Sequence, residues 1–94
     1  MANIDVQITE HADHYIAAVT VKEGRGHTHH SVTVNKNDYD RLTGGSVTPK
    51  ELVAESFRFL LEREPKESIL RQFNLTVIGR YFPEYERQIR ERLR

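Results

Sequence analysis

At 94 residues the chain has room for one domain, 1–94, and not for two. Its 14 Lys and Arg balance 14 Asp and Glu, so it lacks the basic bias with which most stand-alone nucleic-acid binders hold phosphate. Cysteine is absent, which excludes disulfides and thiolate metal sites, and an apolar content of 37% spread along the chain fits a folded domain with a thin core.

The segment Met1-Ala2-Asn3-Ile4-Asp5 has no basic stretch followed by an apolar run, so no signal peptide is expected. No stretch approaches the ~20 apolar residues of a membrane span. The expected location is cytoplasmic, by elimination, with no membrane partner.

The first 36 residues alternate with a period of two. Ile4, Val6 and Ile8 share one face. After the polar turn Glu10-His11-Ala12-Asp13, the residues Tyr15, Ala17, Val19 and Val21 share one again. Glu23-Gly24-Arg25-Gly26 makes a second turn before His30, Val32 and Val34. Alternation between turn signals predicts a three-stranded antiparallel meander with one buried face.

Residues 37–94 read as helical. Asn37 or Asp38 can cap a short helix through Leu42, which Gly44-Gly45 stops. Thr48, Pro49 and Glu51 then form the strongest start signal: an N-cap, a proline at the first helical position and a glutamate three residues after the cap. Leu52, Val53, Ser56, Phe57, Leu60 and Leu61 follow at helical spacing, so a long helix is predicted from about 49 to 63, with Pro65 beyond it. Ile69, Leu70 and Phe73 continue that spacing and predict a further helical turn over 66–73. Asn74 can cap another turn containing Leu75, Val77, Ile78 and Phe82. Pro83 restarts the chain, and Tyr85, Ile89 and Leu93 stripe a terminal helix. The expected fold is therefore α+β: a three-stranded antiparallel meander, then one long helix and several short C-terminal helices packed on the sheet.

From Glu55 the chain runs ESFRFLLEREPKESILRQFNLTVIGRYFPEYE. This block resembles the C-terminal half of a group of small bacterial proteins without assigned activity, which share a strand-rich first half and a Leu-Thr-Gly-Gly-like turn. The resemblance covers residues 39–86 and implies a bacterial, cytoplasmic protein; it implies no site.

A second likeness is to ribbon-helix-helix DNA-binding domains, in the order strand Ser31–Asn35, helix Asp38–Thr43 and helix Pro49–Arg63. It implies two chains pairing their strands, with Ser31, Thr33 and Asn35 turned to base edges. Against it, the strand follows a hairpin that should already pair with it, and the segment lacks phosphate-holding Lys and Arg. A nucleic-acid partner is therefore not favoured.

All five histidines lie within residues 11–30. In a meander, His11 and His14 fall at one end of the sheet, and His27, His29 and His30 belong to the other turn. The latter three are the weak candidates for a metal site or for acid–base nuclease chemistry. No Gly-x-Ser-x-Gly, phosphate-binding Gly-rich or His-Glu-x-x-His segment accompanies them, so no enzyme, resident metal or cofactor is expected. The remaining signal is apolar surface. Phe59 lies off the face of Leu52 and Val53, and Arg80-Tyr81-Phe82-Pro83-Glu84-Tyr85 brackets a proline with aromatics near a run of arginines. Phe59, Tyr81, Phe82, Tyr85 and Arg87 are the interface candidates. The reading is a small binding or regulatory module whose partner is another protein or a second copy of itself. A DNA-binding regulator is the alternative.

Overall fold

The structure, a computed structural model, describes residues 2–94. The alternating third forms β1 (Asn3–Glu10), β2 (His14–Glu23) and β3 (Gly26–Asn35), joined as an antiparallel meander. Gly24 takes φ 63° in the tight β2–β3 turn, a backbone region open to glycine at no steric cost. Val6, Ala17, Val19, Val21, Val32 and Val34 all point to the buried face. Asp5, Gln7, Thr9, Ala18, Lys22, His27 and His29 point to the other, which stays exposed. A period of two on an antiparallel sheet demands this division.

α1 (Lys36–Thr43) begins directly after β3 and ends at Gly44, whose φ of 63° lets its N–H reach the Asp40 carbonyl. α2 (Pro49–Leu61) carries the full capping box. Thr48 Oγ1 accepts from the Glu51 N–H, and the Glu51 carboxylate accepts from the Thr48 N–H. Leu52, Val53, Phe57 and Leu60 are buried beneath it.

The predicted helical turn over 66–73 forms only in its first three residues; the chain beyond them is extended. A single 3-10 turn, Lys66–Ser68, leads into β4 (Gln72–Asn74), which joins the sheet parallel to β3. The sheet is thus four-stranded and mixed, in the order β1-β2-β3-β4. Spacing alone could not separate the two outcomes, because Ile69 and Phe73 face the core in either conformation. Two backbone bonds across β3 decide it: the Ser31 N–H donates to Arg71 (2.8 Å), and the Leu75 N–H donates to Thr33 (2.9 Å). Asn74 then turns the chain by accepting from the Thr76 N–H (3.1 Å). α3 (Val77–Tyr81) and α4 (Tyr85–Arg92) follow.

The C-terminal helices cover the second apolar face of α2. Phe59 meets Tyr85 edge-on at 5.3 Å and Phe82 at 5.9 Å. Arg63 lies over the Phe59 ring at 3.6 Å and donates to Gln88. Among the described residues, no helix is long and apolar enough to cross a membrane.

Candidate functional site

Among the described residues, two large apolar side chains stay exposed: Leu70 at 47% and Tyr81 at 66%. Both stand on one groove of about 160 Å³. Leu60, in the last turn of α2, forms one wall, with Glu64 beyond it. The extended run supplies Ile69, Leu70 and Phe73, and the α3 side supplies Val77, Ile78, Tyr81 and Phe82. The space accommodates side chains and not a folded surface. Its apolar walls suit an anchor residue of a peptide segment.

The wall that carries Leu70 is fastened to the sheet by His30, which is 4% exposed. The Leu70 carbonyl can only accept, so the Nδ1–H of His30 donates to it (2.8 Å). Nε2 pairs with the Thr28 hydroxyl (2.8 Å), which can donate to the neutral ring or accept from the charged one. The bond to Leu70 places a proton on Nδ1. Burial pushes the pKa of His30 down, partly opposed by its bond to Leu70. The ring packs against Phe57 at 5.2 Å. Both nitrogens are engaged inside the chain, so this histidine fastens the fold.

The residues singled out from sequence scatter. Tyr81 and Arg87 are exposed, and Phe82 is half-buried in the groove. Phe59 and Tyr85 are both 0% exposed, sealed in the chain's own core. The Tyr85 hydroxyl pairs with Ser56 at 2.7 Å, and burial raises its pKa. Ser31 and Thr33 are half-buried and Asn35 is exposed; all three lie on the sheet face away from the helices. β3 is an internal strand, held by β2 on one side and by β4 at Ser31–Thr33 on the other. The edge on which two ribbon-helix-helix chains would pair is therefore occupied there.

The histidines do not converge. His11 and His14 stack at 4.7 Å beside the first turn, where His14 donates to Asp13 (2.6 Å) and holds that carboxyl below its ordinary range. His27 and His29 meet edge-on at 5.0 Å near the second turn, on the exposed face. His30 points the opposite way. Among the described residues, no three His, Cys, Asp or Glu side chains are grouped to hold a metal ion. Arg92 pairs with Glu55 and Glu62, and Arg41 with Glu86, so part of the arginine run braces α4.

No protein-family model, no curated protein and no solved structure matches this chain. Leu70, Ile69, Phe73, Val77 and Ile78 were not among the residues singled out as an interface. Their apolar character was visible, but the groove exists because the chain leaves the helical path at Ile69 and turns Leu70 outward.

Proposed function

We propose that this chain is a small protein-binding module that captures an apolar segment of a partner in the groove between α2, the approach to β4, and α3. The observation that carries the reading is the placement of Leu70 and Tyr81. Large apolar side chains exposed together on a concave apolar surface mark interaction sites more often than scattered ones do. Recognition here rests on burial of an anchor side chain, in the manner of pocket-filling hot spots, so affinity should survive moderate salt.

The test is selection from a displayed library of random twelve-residue peptides, with the wild-type chain as bait. The reading expects enriched peptides with a central large apolar residue. Binding should weaken at least tenfold in Tyr81→Ala and in Leu70→Asp, both surface changes that leave the core intact, and should change little between 50 and 300 mM salt. Failure to enrich any peptide, or peptides that bind both variants as tightly as wild type, would sink it.

A further inference from the structure

β1 is the outer strand on the side of the sheet away from β4, and its free edge has a definite chemistry. The first turn closes with the His11 N–H donating to the His14 carbonyl at 2.8 Å. In an antiparallel ladder such bonded pairs recur at every second residue. With the register Thr9↔Ile16, Gln7↔Ala18 and Asp5↔Thr20, the odd-numbered residues of β1 bond to β2. The N–H and C=O groups of Ile4, Val6 and Ile8 therefore point away from β2, where no strand among the described residues meets them. The register runs without a bulge from Asn3 to Glu10, and the strand holds neither proline nor lysine. Proline, lysine and a bulge, three of the devices that blunt an edge against pairing, are missing from it.

We propose that a second copy of this chain docks on this edge, the two β1 strands pairing antiparallel about a two-fold axis at Val6. The sequence of β1 selects that register. Paired residues share a sheet face, so even-numbered residues must oppose even-numbered ones. Centred on Val6, Ile4 opposes Ile8 of the other copy and Val6 opposes itself, while Asn3 meets Thr9 and Asp5 meets Gln7 on the outer face. Centring on Asp5 sets two carboxylates against each other, and centring on Gln7 sets Ile4 against Glu10. Ile4 and Ile8 are only half-buried within one copy, consistent with an unfinished margin.

The neighbouring surface fits a self-association. A cleft of about 450 Å³ runs between Ile4 and Val6, the α2 stripe Lys50, Glu51, Ala54 and Arg58, and the C-terminal residues 92–94. That stripe is mixed in sign and small at its centre, which leaves room beside the edge for the same stripe of a second copy. An eight-residue edge is about 27 Å long, and the α2 stripe beside it extends the contact toward the roughly 800 Å² per partner typical of a stable interface. The result is one continuous sheet across two copies. This surface is separate from the groove, so either can fail alone.

Two measurements on the full chain decide it. Light scattering on a sizing column, with the load raised tenfold, should give about 22 kDa, twice the chain mass of 11.0 kDa. The second uses the absence of native cysteine. Asp5 and Gln7 of the two copies would be a non-bonded pair about 4.5 Å apart at Cα, within disulfide range, whereas the 5–5 and 7–7 distances are roughly 8 Å. Mixing the single variants Asp5→Cys and Gln7→Cys under a mild oxidant should give a covalent dimer, and either variant alone should give at least fivefold less. Both changes lie on the exposed face, so the fold of each copy is preserved. An 11.0 kDa species at both loads overturns the proposal. So does a dimer whose mixed variants cross-link no better than the single ones.

Discussion

Ser56 and Tyr85 are separated by 29 positions and meet inside the core at 2.7 Å, each fully buried. Their roles are unequal. The Ser56 hydroxyl donates to the Leu52 carbonyl (2.7 Å), so it must accept from the Tyr85 hydroxyl. Tyr85→Phe removes one donor and leaves Ser56 still bonded to Leu52. Ser56→Ala removes the acceptor and strands a phenolic hydroxyl in an apolar surround. An intact buried hydrogen bond contributes about 1 kcal/mol, whereas a stranded group costs about 1–3 kcal/mol. Ser56→Ala is therefore expected to be the more damaging change despite its smaller volume, by about 1 kcal/mol in urea unfolding. Equal losses, or a larger one in Tyr85→Phe, would mean that the tyrosine hydroxyl finds another partner. Nothing in the sequence marked this pair: Ser56 could be counted on an apolar stripe, but its partner could not be named before the helices were placed.

At the scale of elements, the best-read parts were those with local chemistry. Thr48, Pro49 and Glu51 define the start of α2 through contacts within one turn, and Gly44 ends α1 through its own φ. β4 was illegible for the opposite reason, since its three residues are strand only because β3 offers bonds far away in sequence. His30 belongs to this long-range class. It ties β3 to the groove wall through Leu70 and is held neutral by burial, with Arg71 and His29 adding repulsion to its charged form. The unfolded chain then binds a proton that the folded chain resists, so stability falls as pH drops below the ordinary histidine value of 6.5. The carboxyls of Asp13, Glu62, Glu67 and Glu84 are shifted down from 3.8 or 4.5, so their contributions fade only in a lower range. Wild type should lose denaturant midpoint between about pH 7 and pH 5, and His30→Asn should be less stable at pH 7 but nearly flat across that window. A wild-type profile as flat as the variant's would remove His30 as the cause.

For the whole molecule, periodicity was enough to read an α+β fold of a strand meander followed by helices, but not the fourth strand that makes the sheet mixed. What the sequence left open was whether the aromatic tail folds back or faces outward, and the structure divides it. Phe59 and Tyr85 close the core, while Tyr81 stays out on the groove. The reason is geometric. α2 is apolar around more than the face that covers the sheet, and α4 brings Tyr85 and Ile89, both 0% exposed, to its second face. The tail is therefore a layer of the core, with consequences for any shortened chain. Deleting residues 84–94 removes two fully buried side chains worth roughly 1.5–3 kcal/mol each and uncovers Phe59. Against a total stability of about 5–15 kcal/mol for a domain, and with the covering surface gone, little would remain. The ion pairs lost with α4, such as Arg41 with Glu86, are exposed and contribute little by comparison. A chain ending at Pro83 is expected to keep strand and helix signals in far-ultraviolet circular dichroism but to lose its near-ultraviolet aromatic signal and its sharp thermal transition. If the shortened chain instead melts cooperatively, the meander and α2 form a self-sufficient unit, and α4 is an appendage laid over it.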